Sequence, residues 1–170
     1  VLSAAKDPKV STCKARQWGP ALIFDKLWHA QGLPNVIDRF ASERRFQFDI
    51  ERAIFAMALQ RLCHPGSDLQ GSHWLQTVEC HGFESLDLQH LYRSTGFLFD
   101  IRADLEKELF LRDRDLFNQK LDLLFLDTTS TYVYRDTESP FRKRGFSKDR
   151  RADLPQFILC MAVNADGWPV

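Results

Sequence analysis

The sequence predicts an α+β protein, in which an all-helical N-terminal region precedes the first strands of an α/β core. Apolar residues recur with helical spacing from about Pro20 to residue 117 of the 170 residues. Beyond residue 118 they give way to short apolar runs that are rich in β-branched and aromatic residues, which is typical of strands. An Asp-Gly pair at 166–167 then predicts a hairpin turn. We place the change between the two regions near residue 118.

Composition fits a folded domain and excludes several classes of protein. The chain is 44% hydrophobic and 27% charged, which is ordinary for a globular protein. It contains no apolar stretch of about 18 residues, so we expect no transmembrane helix. Four cysteines are too sparse for a disulfide scaffold. Because the first residues lack a signal peptide pattern, we expect a cytoplasmic protein.

The first two predicted helices are separated by a glycine. Apolar side chains of residues 22–28 fall on one helical face after Pro20. Gly32 is a typical helix stop, and Pro34 suits the first turn of a second helix that continues through Phe40. The segment before them, residues 1–17, is rich in lysine and arginine, and we expect a basic, flexible arm there.

Segment 48–63 predicts the clearest helix, with a regular apolar stripe and Asp49 as its N-cap. The dipeptide Pro65-Gly66 ends it, and Ser67 is expected to cap the helix that follows. Further helices are predicted over residues 67–78, 85–93 and 100–117.

The predicted strands follow residue 118. The run 121–127 is short and strongly apolar, which favours a buried strand that closes at Asp127, although periodicity alone also allows a helix. Residues 131–134 favour a further strand, and residues 156–163 a second buried one. Between them, residues 136–155 are polar and predict a loop.

Asp127 is the most informative candidate site residue. A carboxylate at the end of a buried strand is rigidly held where the backbone leaves the core, and Mg²⁺ prefers such hard oxygen ligands. The alternative is an aspartate that ends a strand and bonds its own backbone in a turn. One carboxylate cannot build a two-metal site by itself.

A basic run lies between residues 135 and 151. It holds seven Lys and Arg against three acids, a local net charge of +4 in a neutral protein. Such a segment suits phosphate binding with a salt-dependent affinity. The alternative is a solvated loop. The candidate binding residues are Arg142, Lys143, Arg144, Lys148, Arg150 and Arg151.

Two weaker patterns lie in the helical region. The two helices around Pro65-Gly66 resemble a helix-turn-helix, but the second lacks Lys and Arg, and ordinary helix packing is the alternative. Its base-reading candidates would be Gln70, Ser72, His73 and Gln76. The histidines and cysteines between residues 63 and 90 lack the spacing of a structural zinc site, which favours scattered core thiols.

Longer motifs resemble one family. Residues 123–132, LLFLDTTSTY, resemble the first catalytic strand of bacterial insertion-sequence transposases of the DDE type. Residues 145–156, GFSKDRRADLPQ, resemble the motif G-Y-S-K-D-H-R-P-D-L-x-Q of one large group of them. Here Arg150 replaces the usual His and Ala152 the usual Pro. Residues 157–170 are similar to that group's second strand and hairpin, and pieces of its helical region are matched from residue 17 onward.

The resemblance implies an RNase H-like catalytic core that begins near residue 119 and is incomplete in this chain. A helical DNA-binding region over residues 18–118 would precede it. Asp127 would be the first of three acidic ligands to two Mg²⁺ ions, with Mn²⁺ as a substitute. The partners would be the terminal inverted repeats and target DNA, with a homodimer at full length and no membrane. The location would be cytoplasmic and nucleoid-associated.

The family's second Asp and its Glu lie downstream of the positions matched here. We therefore expect a truncated transposase that binds DNA and supplies one catalytic carboxylate. The alternative is a non-catalytic DNA-binding or dimer-forming remnant that inhibits the intact enzyme. A third reading is a helical interaction domain without a nucleic-acid role. An incomplete sheet also leaves strand edges exposed.

Overall fold

The computed structural model describes residues 15–117, 124–167 and 169. Within them the chain is α+β, as predicted, with five α-helices, one short 3-10 turn and a two-stranded antiparallel sheet. The helices are α1 (Gly19–Ala30), α2 (Leu33–Ala41), α3 (Ile50–Cys63), α4 (Asp68–Leu75) and α5 (Leu88–Phe117). The strands are β1 (Leu124–Tyr132) and β2 (Gln156–Asn164), and the 3-10 turn is Phe83–Ser85.

The chain forms two compact units, Val1–Leu105 and Glu106–Val170, whose boundary lies inside α5. Most of the segment predicted as a basic arm, residues 1–14, lies outside the described residues. At its end, Gln17 donates its backbone N–H to the carbonyl of Thr77 at 2.7 Å and accepts the N–H of Glu79 at 2.8 Å. Gln17 is therefore attached to the segment that follows α4.

Helix ends lie where local side chains satisfy the free backbone groups. The Asp49 carboxylate accepts the N–H of Arg52 at 2.9 Å and caps α3. Ser67 accepts the N–H of Gln70, whose side chain accepts the N–H of Ser67, which is a complete capping box on α4. Gly32 lies between α1 and α2 with a left-handed φ of 67°. These three predicted boundaries are confirmed.

Helix α5 corrects the sequence prediction of two separate helices over 85–93 and 100–117. It runs through Gly96 without a break, because Leu91 before the glycine is buried in one core, and Phe97 and Ile101 after it pack into a second core with Ile37 and Ile54. A glycine inside a helix costs about 1 kcal/mol relative to alanine. Burial of one Phe side chain stabilises the fold by roughly 1.5–3 kcal/mol and outweighs that cost.

An ionic cluster is buried between α1 and α3. The Arg52 guanidinium donates to the Asp25 carboxylate at 2.6 Å and to Glu51 at 2.7 Å, and its side chain is nearly buried. Although burial alone lowers the pKa of Arg52, its hydrogen bonds to both carboxylates raise it above the ordinary value. Gly82, with φ 87°, lies against this cluster, since a Cβ there would approach Arg52 Cγ to 2.9 Å.

The sheet pairs β1 with β2 over nine consecutive positions, with Asp127 opposite Met161. The prediction that the strand closes at Asp127 is wrong, because the β-branched and aromatic residues that follow continue it to Tyr132. One strand thus takes in residues 124–127 of the first predicted run and residues 131–132 of the second, whereas residues 133–134 lie beyond its end and residues 121–123 lie outside the described residues.

The prediction that both strands are buried is also wrong. Most β1 side chains are exposed, with Leu126 at 70%, and Ile158 of β2 is exposed as well. A sheet of two strands leaves its faces open wherever no other segment covers them. The predicted turn is confirmed: the N–H of Gly167, with φ 82°, donates to the carbonyl of Asn164 at 3.0 Å.

No helix within the described ranges combines the length and apolar character that crossing a membrane requires.

Candidate nucleic-acid interface

Asp127 lies in the middle of β1 with an exposed side chain. Its two carboxylate oxygens are hard ligands, but Mg²⁺ takes about six. In the part of the chain that the structure describes, no group of three or more His, Cys, Asp or Glu side chains converges on a metal-sized site. Asp127 thus suits a role as one ligand of a larger set, and the described residues do not complete that set.

Lys148, from the predicted basic run, lies against β1. Its ammonium group donates a hydrogen bond to the carbonyl oxygen of Thr128 at 2.8 Å. Thr128 directly follows Asp127, so this contact brings a cation of the polar loop to the strand that carries the candidate metal ligand. The two segments that carry the family resemblance are therefore in contact.

Gln156 attaches the basic segment to the start of β2. Its backbone exchanges two hydrogen bonds with Lys143, at 3.0 and 3.1 Å, and its side-chain N–H donates to the carbonyl of Gly145 at 2.8 Å. The Gln156 side chain is buried, whereas Phe146 beside it is 89% exposed. These contacts fix the backbone from 143 to 145 and leave the Lys143 side chain exposed.

Arg144 makes its contacts within the loop. Its guanidinium donates to the carbonyl oxygens of Asp153 at 3.0 Å and Asp136 at 3.1 Å. The Glu138 carboxylate lies 3.6 Å away. The Arg144 guanidinium therefore holds the loop closed, and this role competes with its predicted role in binding phosphate.

Arg151 is also held by neighbours. It donates two hydrogen bonds to the Asp153 carboxylate, both 2.9 Å, and this pairing lowers the pKa of that carboxyl below its ordinary value. Its guanidinium lies 5.4 Å from the ring centre of Tyr132 and 5.5 Å from that of Tyr134. The two tyrosines, which the sequence did not single out, thus position Arg151 at the end of β1.

The remaining predicted binding residues differ in their exposure and in the contacts that they make. Arg142 is half-buried, and its backbone pairs with Ser139 at 2.9 and 3.1 Å. Arg150 adopts a left-handed φ of 57°, which is uncommon for a residue with a Cβ. Lys143, Lys148 and Arg150 are exposed, and none forms an ion pair with a carboxylate within the described ranges. The charges of these three cations are therefore available to a phosphate, although Lys148 also donates one N–H to the carbonyl of Thr128.

The helix-turn-helix candidate packs as an ordinary helix pair. Gln70 is engaged in the capping box, and the Ser72 hydroxyl donates to the carbonyl of Leu69. Gly71 of α4 lies so close to Gln60 of α3 that a Cβ would approach that side chain to 3.2 Å. His64 stacks on the Trp74 ring at 6.0 Å. The alternative of helix packing explains these contacts.

A second basic surface lies in the helical unit and was not found from the sequence. An open groove of about 650 Å³ is lined by residues 44–46 and by residues 93–100 of α5. We call it the arginine groove, after Arg44, Arg45 and Arg93. No run of charge marks it in the sequence, because its two walls are about fifty positions apart.

Comparison of the chain with protein-family models, with curated proteins and with solved structures finds no match.

Proposed function

We propose that the chain is the N-terminal part of a DDE-type DNA transposase, which binds the ends of an insertion sequence and supplies the first metal-binding carboxylate. The observation that carries the proposal is the contact between the two motif segments. Lys148 of the second motif donates to Thr128 of the first, and β1 pairs with β2 along their whole length. Motifs that resemble one family in sequence thus lie together in space.

In this proposal β1 and β2 are the first strands of an RNase H-like core, and Asp127 is a ligand on the first of them. Divalent metal ions, when bound, would activate water and then a DNA 3′-hydroxyl for attack on a phosphodiester. Asp127 would hold a metal ion through its exposed carboxylate, together with acids that this chain does not contain. Lys143, Lys148 and Arg150 would bind backbone phosphates beside it.

The test is DNA binding by the whole chain, measured by fluorescence anisotropy with labelled terminal-repeat and unrelated duplexes at several salt concentrations. The triple variant K143A/K148A/R150A should bind more weakly, and the slope of log Kd against log salt should fall by about three. A control with the same change in net charge is K26A/R61A/K107A, which removes three exposed cations elsewhere, of which Arg61 is paired with Asp68. A chain that binds no DNA at any salt concentration would refute the proposal in favour of a helical interaction domain.

A further inference from the structure

The arginine groove is built from two segments of the helical unit. One wall is the turn between α2 and α3, and the other is the middle of α5. Its lining includes Arg44, Arg45, Arg93, Gly96 and Asp100.

The charge of the groove is positive and only partly compensated. Asp100 is the one acid among its lining residues, and Arg44 already donates to that carboxylate at 2.8 Å. Arg45 and Arg93 are exposed and form no ion pair with any carboxylate group that the structure describes. Two guanidinium groups are thus available to an anionic ligand.

Aromatic rings hold two of these arginines in place. The Arg44 guanidinium lies 5.2 Å from the ring centre of Phe97, and that of Arg93 lies 5.2 Å from Phe48. Stacking restricts the side chains before any ligand arrives, so less conformational entropy is lost on binding. Planar guanidinium groups with several N–H donors match phosphate oxygens.

The space in front of the arginines suits a polymer. The groove volume of about 650 Å³ far exceeds that of one phosphate group. A Cβ at Gly96 would meet no atom within 4 Å, so the exposed face of α5 offers open room there. An open groove with separate cations is typical of contacts to a nucleic-acid backbone, whereas a single small anion is usually enclosed by converging donors.

We propose that the arginine groove binds backbone phosphates of duplex DNA, as a second contact surface on the helical unit. The inference rests on the proposed function, since it assigns a further surface to the same ligand. The arginine groove lies elsewhere in the chain than the surface assigned under the proposed function, because every residue of the groove precedes residue 106 and none belongs to the basic run.

The experiment measures binding of labelled duplex DNA to the full 170-residue chain across a salt series. The variant R45A/R93A should raise Kd at least tenfold and reduce the slope of log Kd against log salt by about two. D100N should lower Kd and steepen the slope, because it removes the carboxylate that competes with DNA phosphates for Arg44. R45K/R93K should retain most of the slope, and K26A/K107A is the charge-matched control.

The outcomes separate the two proposals. If the wild-type chain binds DNA and R45A/R93A behaves like K26A/K107A, the groove proposal is overturned and the proposed function stands. If the wild-type chain binds no DNA, both fail. Inhibition of binding by low concentrations of inorganic phosphate would identify a small-anion site and overturn the duplex assignment. Circular dichroism confirms folding, and the single variant R45A, in an exposed turn, replaces the double one if that unfolds.

Discussion

The ammonium group of Lys148 donates to the main-chain carbonyl of Thr128 at 2.8 Å, and so ties the loop between the strands to the residue after Asp127. Removal of this hydrogen bond in K148A should loosen the loop. We expect amide hydrogen exchange over residues 145–151 to rise about two- to fivefold, as the loss of one exposed hydrogen bond implies. Mass spectrometry measures the change. K143A should leave these rates unaltered, because the Lys143 side chain makes no such bond to any residue that the structure describes. Equal acceleration in both variants would contradict the contact between Lys148 and Thr128.

The buried cluster around Arg52 predicts a strong effect on stability. R52L leaves Glu51 buried without its cation, and the free energy of unfolding should fall by about 3–5 kcal/mol. Urea denaturation followed by circular dichroism measures it. R61L is the control, because the Arg61–Asp68 pair is exposed on its arginine side and should contribute about 1 kcal/mol or less. Similar losses in the two variants would show that burial of the pair is not the cause.

Two glycines should respond to alanine with opposite signs. G82A places a Cβ at a positive φ and against Arg52, so we expect a loss of about 1–3 kcal/mol in the free energy of unfolding. G96A adds a Cβ that meets no neighbouring atom within 4 Å. It should raise the free energy of unfolding by about 1 kcal/mol at most, because alanine favours the helix. Thermal or urea unfolding distinguishes them, and a destabilised G96A would mean that α5 bends or breaks at this point.

Burial raises the pKa of the Cys80 thiol from its ordinary value of 9.0 to about 11. Because the unfolded thiol ionises first, Cys80 should lower the free energy of unfolding as the pH rises from about 9 to 11. Below pH 9 its contribution should be constant. Alkylation by iodoacetamide, followed by peptide mass spectrometry, should show Cys80 reacting with a midpoint near pH 11. In C80A the fall in stability over this interval should be smaller, and an unchanged fall would assign it to other groups.

The chain by itself should bind DNA without cutting it. Asp127 supplies at most two of the oxygen ligands that a magnesium ion needs, and no described group of three ligands surrounds it. Incubation with terminal-repeat DNA and Mg²⁺ should therefore leave the DNA intact on a denaturing gel. D127N should bind DNA at least as tightly as the wild type, because it removes a negative charge. Cutting that depends on Mg²⁺ and disappears in D127N would show that the chain completes a metal site.

Local signals in the sequence predicted the helix ends well. Asp49 and Ser67 cap helices through side chains that bond within three residues, and Gly32 supplies a left-handed turn, so sequence neighbours suffice to place them. The predicted end of β1 at Asp127 is too early, because the branched side chains of Thr128 and Thr129 favour a strand and β2 pairs with them.

Features that depend on distant residues could not be predicted in this way. The break expected between residues 93 and 100 is overridden by Phe97, whose burial depends on residues of α2 and α3. The arginine groove combines residues 44–46 with residues 93–100, and neither segment is a run of charge. In the basic run, composition revealed the cations but not their partners. Only the folded loop shows Arg144 and Arg151 occupied by carbonyl and carboxylate oxygens.

The boundary between the two compact units lies inside one continuous helix, which limits how the protein can be dissected. A cut after Leu105 would sever α5 in mid-helix and leave up to four carbonyl groups on one fragment and four N–H groups on the other without helical partners. Each new helix end would also lack a capping side chain of the kind that Asp49 and Ser67 supply to their helices. Fragments meant to isolate either unit should therefore retain the whole of α5, so that any pair of such fragments shares thirty residues.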